Sequence, residues 1–140
     1  MKKIVLSLFA ACMLSGVSAQ SLSPIQLKAP EKKAGLSVME TLANRHSTRQ
    51  FSNKELTLQE LSNLLWAANG INRPEKGMRT APSAMNAQEV DVYVCMKEGA
   101  YFYDAKSNQL KPVIQEDLRG LVAGKQDFVK SAPVVLLLVS

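Results

Sequence analysis

Arg45-His46-Ser47-Thr48-Arg49-Gln50-Phe51 is the stretch around which the chain is organised. Two arginines flank a central serine at a distance of two residues each, and an aromatic closes the segment. A guanidinium offers a rigid fork of donors that suits phosphate, and a neighbouring hydroxyl completes such a cradle. A charge-dense turn of this kind can also be no more than a solvated helix end. A second segment, Arg79-Thr80-Ala81-Pro82-Ser83-Ala84-Met85-Asn86-Ala87-Gln88, is small, polar and turn-forming, and it runs into a strand. Together the two describe a site for a planar cofactor that carries a phosphate, with the rest of the chain as scaffold.

Working outward, Ser37-x-x-Glu40 reads as a capping box, with Val38, Leu42 and Ala43 as an apolar stripe. That helix ends near Asn44 or Arg45, which puts the arginine segment at a helix C-terminus. A C-terminus does not attract phosphate, so an anion held here must be held by the side chains themselves. Thr57-x-x-Glu60 is a second capping box. Leu58, Leu61, Leu64, Leu65 and Ala68 follow at helical spacing, Gly70 stands at the expected C′ position, and Trp66 lies beside the stripe as a core aromatic. Residues 69–79 are polar and read as a loop.

Residues 89–96 alternate. Val90, Val92, Val94 and Met96 share one face of a strand; Asp91, Tyr93 and Cys95 share the other, which makes Cys95 structural. Glu98-Gly99 and Lys106-Ser107-Asn108 turn the chain twice, which gives an antiparallel meander through residues 100–104 and 109–112. Ile114, Leu118, Leu121 and Val122 predict a third helix ending near Gly124, and Asp127-Phe128-Val129 a short turn. Residues 133–139 form a continuous apolar run, as expected of a strand buried on both faces. The expectation is that covering elements follow it, so that 37–140 is the N-terminal part of a longer domain, incomplete at the C-terminus.

The first residues are a separate object. Lys2 and Lys3 precede an apolar run over 4–17, and Val17-Ser18-Ala19 forms a small-x-small cleavage site. Residues 1–19 therefore read as a signal peptide, too short for a membrane span, and the protein is expected to be exported, periplasmic or secreted. Lipidation at Cys12 is the rival reading. Residues 20–36 read as an extended arm that carries Pro24, Pro30, Lys28, Lys32 and Lys33. Cleavage leaves fifteen basic and twelve acidic residues, a net charge of +3 against +5 for the whole chain. No dense basic stripe remains for nucleic acid. One histidine and, after cleavage, one cysteine leave no metal site of the usual spacing and no intrachain disulfide.

In order and separation, the two segments resemble the motifs of the nitroreductase family of FMN-dependent oxidoreductases. The first looks like that family's Arg-x-Ser-x-Arg/Lys-x-Phe, and Ala81-Pro82-Ser83-Ala84-x-Asn86-x-Gln88 looks like its Ala-Pro-Ser-x-x-Asn-x-Gln. Leu64-Leu65-Trp66-Ala67-Ala68-x-Gly70-Ile71, Arg79-Thr80-Ala81-Pro82-Ser83-Ala84 and Ala100-Tyr101-x-Tyr103-Asp104 resemble its SagB-type branch. The resemblance implies an α+β fold, a three-layer α/β/α sandwich around a mainly antiparallel sheet. It also implies a homodimer with FMN at the interface, and two-electron hydride transfer through flavin N5 to or from a small organic or peptide substrate. By that analogy Arg45, His46 and Ser47 lie at the phosphate and ribityl end, and Arg49 nearer the pyrimidine edge. Pro82, Ser83, Ala84, Asn86 and Gln88 approach the ring, largely from the other subunit. No side chain is implied as a catalytic acid. Gly124-Lys125-Gln126-Asp127 stands where typical members carry an Asn and a Lys, so NAD(P)H stays open as a second cofactor. A flavin-binding module without turnover, and an unrelated anion- or partner-binding domain, are the alternatives.

Overall fold

The computed structural model describes residues 21–140; the signal-peptide reading and Cys12 lie outside the described residues. The core is one helix laid on an antiparallel sheet. The elements in order are β1 (Ile25–Gln26), α1 (Val38–Asn44), α2 (Leu58–Asn69), β2 (Ile71–Arg73), β3 (Met78–Arg79) and β4 (Asp91–Met96). They are followed by β5 (Gly99–Asp104), β6 (Gln109–Ile114), α3 (Arg119–Val122) and β7 (Val135–Val139). Strands β1-β6-β5-β4-β7 form one sheet in that order, every neighbouring pair antiparallel; β2 and β3 form a separate ribbon. The expected α+β class and mainly antiparallel sheet are what the chain adopts. Among the described residues no helix is long and apolar enough to cross a membrane.

Strand pleat decides which side chains meet the helix. Val94 pairs with Tyr101, and Tyr103 with Leu110, so Val92, Val94, Tyr101, Tyr103 and Leu110 share one face. Leu61 and Leu65 of α2 and Leu27 of the N-terminal segment close over that face; Leu65, Val94 and Leu110 are fully buried. Each such side chain withdrawn from water contributes about 1.5–3 kcal/mol. Tyr93 and Phe102 pair on the opposite face, their rings 5.6 Å apart, beside the buried Cys95. Burial pushes the Cys95 thiol above its ordinary pKa.

Both capping boxes form. Ser37 and Thr57 each accept from the backbone N–H three residues on, and the Glu40 and Glu60 carboxylates accept from the cap N–H in return. These bonds hold both carboxyls below their ordinary pKa. The apolar stripe of α2 is narrower than its leucines suggest. Leu58 and Leu64 are exposed, whereas Ser62 and Asn69 are buried. Ser62 Oγ donates to Leu58 O at 2.6 Å and accepts from Lys28 N at 3.0 Å, so a buried polar atom fastens the preceding segment to the helix. Gln59 and Asn63 repeat that link through Ala29 O and Glu31 N.

Several expectations need correction. The N-terminal arm contributes an edge strand, β1, and a core residue, Leu27, because Gln26 Nε2 and Leu27 N donate to Asn108 O while Asn108 Nδ2 donates to Lys28 O. Residues 71–79 are a short ribbon around a 3-10 turn at Pro74–Lys76, with Gly77 at φ 60° as its left-handed pivot. Ile114 ends β6, and the third helix is only the turn Arg119–Val122; Pro112 sits in β6, and Asp117 Oδ1 accepts from Arg119 N just before the turn. The stripe of α1 is exposed, Val38 and Leu42 included. The apolar run at 133–139 supplies β7, which pairs only with β4 among the described strands; Leu138 is 64% exposed. Gly70 is not left-handed (φ −76°). It is glycine because a Cβ there would collide with Trp66 Cδ1 and lie 2.7 Å from Trp66 Cα.

Two tests follow from this packing. Gly70→Ala keeps an allowed backbone but forces the turn off Trp66; thermal melts should show a loss of about 1–3 kcal/mol. An unchanged melting temperature would contradict the close approach. The second concerns Asp104, whose carboxyl is lowered from 3.8 to about 2, chiefly by Lys111 Nζ at 2.6 Å and further by the Ser107 and Lys106 amides. Because the folded pKa is below the unfolded one, the contribution is complete above about pH 4 and is lost as pH falls through about 2. Asp104→Asn should therefore cost about 1 kcal/mol at pH 7, a value reduced for the solvent-facing lysine. The gap from wild type should close between pH 4 and 2 in urea titrations.

Candidate functional site

Local structure treats the two motif segments in opposite ways. The first begins where α1 stops: Arg45 leaves helical geometry (φ −66°, ψ 124°), and its N–H still bonds Leu42 O. Residues 45–50 are all exposed. His46 Nδ1 lies 2.9 Å from Asn44 O. Among the described residues, no hydrogen bond or ion pair engages the side chains of Arg45, Ser47 or Arg49. Arg49 instead places its guanidinium over the Phe128 ring, 5.7 Å from the centroid, and Phe51 stacks on the same ring at 6.4 Å. The five N–H donors of each arginine are thus available to a ligand.

The second segment is tightly bonded. Arg79 donates through Nε to Gln88 Oε1 at 2.8 Å and through Nη1 to Asn69 O at 2.9 Å. Gln88 closes the loop: its N–H donates to Ser83 Oγ, and its Nε2 to Gly77 O and Asn86 Oδ1. Thr80 donates from its N–H to Gly70 O and from its hydroxyl to Trp66 O. Arg79 therefore serves the carbonyl end of α2, where a cation is favoured. Within the loop, Met85, Asn86 and Gln88 have φ of 50°, 57° and 54°. Left-handed conformations cost a non-glycine residue about 1–2 kcal/mol each, and they persist where surrounding bonds impose them. Met85 is left 97% exposed.

Pro82, Ser83 and Gln88, with Arg79, Val90 and Leu138, line a cavity of about 190 Å³ that is mainly apolar. Ala84 and Asn86 stand on the exposed 3-10 turn beside it. None of Arg45, His46, Ser47 or Arg49 lines that cavity, and among the described residues no hydrogen bond joins 45–51 to 79–88. Within one chain the structure assembles the second segment and leaves the first apart from it. A larger cavity of about 290 Å³ begins just past the first segment, with Ser52, Asn53, Leu56, Lys97, Arg119 and Ser131 in its wall. Two residues have roles that the sequence hides. Arg79 stands in its motif, but its bonds to Asn69 and Gln88 depend on the β2–β3 ribbon. Phe128 lies in a short turn with no periodicity, and only its aromatic character marks it.

The family model for the nitroreductase family matches residues 42–140. A candidate nitroreductase of Methanocaldococcus jannaschii is 33% identical over 108 residues, which covers 71% of this chain and 54% of that protein. A crystal structure of a candidate nitroreductase from Ralstonia eutropha superposes with a TM-score of 0.77 at 43% identity, over 82% of this chain and 54% of that one. The chain thus spans about half the length of these relatives. Matched over most of its length by family model, sequence relative and fold alike, the chain belongs to the nitroreductase family of oxidoreductases.

Proposed function

We propose that the protein is an exported, FMN-dependent oxidoreductase that acts by two-electron transfer on a small organic or peptide substrate. The observation that carries the reading is Arg45-x-Ser47-x-Arg49 exposed, its hydrogen-bond donors uncommitted among the described residues, in a chain of this family. FMN when bound would supply the hydride chemistry through its N5. Arg45 and Ser47 fit the phosphate and ribityl end, with His46 beside them. Arg49 fits the pyrimidine edge, where a cation favours the charge of the reduced cofactor. Pro82, Ser83, Ala84, Asn86 and Gln88 would meet the ring. Their separation from Arg45 within one chain agrees with a site shared between two copies, and the SagB-type motifs favour peptide-like substrates. An exported enzyme stands away from the cytosolic nicotinamide pool, so a donor other than NAD(P)H, or direct oxidation of the substrate, suits it better.

The test is an absorbance spectrum of the purified protein after incubation with FMN and desalting, followed by a titration. Wild type should retain a flavin band. Arg45→Ala should bind about tenfold or more weakly, the loss expected of one charge-assisted phosphate contact. Raising the salt concentration should weaken wild type more than the variant. A folded wild-type protein that stays colourless would overturn the reading. Bound flavin that no donor reduces would favour the binding module without turnover.

A further inference from the structure

The segment of residues 46–51 poses a mechanical problem. Among the described residues its backbone makes no hydrogen bond, and its side chains make one, from His46 to the carbonyl of Asn44 two residues back. Yet a phosphate or flavin cradle has to hold its donors to within a fraction of an ångström. What fixes this segment comes from about eighty residues away. Phe128 receives Arg49 on its ring and stacks on Phe51, with ring planes 24° apart.

The turn that carries Phe128 is itself well held. Gln126 and Val129 accept from the amides of Val129 and Ala132, Ser131 Oγ donates to Phe128 O, and Arg119 Nη1 donates to Ala132 O. The acid on that turn, Asp127, is paired with Lys130 at 2.7 Å and so does not capture Arg49. A cation held by a ring face keeps its N–H groups, whereas one held by a carboxylate surrenders them. An aromatic platform is thus the kind of support that orients Arg49 without consuming it.

We propose that Phe128 is a positioning residue for the cofactor, acting through Arg49. The inference rests on the FMN reading above. The test compares FMN affinity and flavin midpoint potential in wild type, Phe128→Leu, Phe128→Tyr, Arg49→Ala and the Arg49→Ala/Phe128→Leu double variant. Phe128→Leu should bind about two- to thirtyfold more weakly, as loss of a cation–π contact implies. Its flavin potential should move down towards that of Arg49→Ala. Phe128→Tyr should keep both properties, and the double variant should be no worse than Arg49→Ala. Phe128→Met, which removes the ring at similar bulk, takes the place of a leucine variant that fails to fold. A ring-less variant that matches wild type in affinity and potential would overturn the proposal, as would a loss that simply adds to that of Arg49→Ala. A wild-type protein that takes up no FMN would instead sink the cofactor reading, and this one with it.

Discussion

A helix that ends beneath a sheet must find donors for its last carbonyls, and much of this chain is arranged to supply them to α2. Trp66 O receives the Gly70 amide and the Thr80 hydroxyl; Asn69 O receives Arg79; Gly70 O receives the Thr80 amide. Meeting that need brings the β2–β3 ribbon back to the helix end. Once Arg79 is there, its Nε orients Gln88, and Gln88 fixes the loop of the second segment. The far end of α2 is handled by Thr57 and Glu60, and its flank by Ser62 and the N-terminal segment. The core and the motif loop are two consequences of satisfying one helix.

This arrangement explains why the second segment is held by hydrogen bonds while the first is open. The loop 80–88 carries three left-handed residues and is over-determined by bonds from Gln88. Among the described residues, the stretch 45–51 has almost no hydrogen bonds of its own. The asymmetry is chemically sensible for recognition: one side presents a preformed apolar wall, the other presents unspent charge. Preformed surfaces lower the ordering cost of binding, and uncommitted donors retain their full value for the ligand.

Much of the fold was legible because it follows from local rules. The two capping boxes, the alternation over β4 and the two turns of the meander each carry their own signal and appear where expected. What the sequence hid depends on partners far along the chain. The ribbon at 71–79 is too short and polar to alternate, and it exists because α2 needs Arg79 and Thr80. Ser62 breaks no pattern as a polar residue beside Leu61, yet it is buried because Lys28 N and Leu58 O satisfy it. Residues 133–139 show the limit of hydropathy: an apolar run predicts a strand but not how much of it is covered. The candidate site divides in the same way. Its residue types were readable from the motifs, whereas Phe128 becomes visible only when chain segments far apart meet.

The position of Cys95 has a consequence for covalent chemistry. Its sulfur is packed between strands at 2% exposure, and burial raises its pKa. Thiol–disulfide exchange proceeds through the thiolate and needs an open line of approach, and both are suppressed here. Oxidants and small-molecule thiols would therefore act on this sulfur slowly while the sheet stays closed. Its modification would then report opening of the strands, so that an alkylating reagent becomes a clock for local unfolding between β4 and its neighbours.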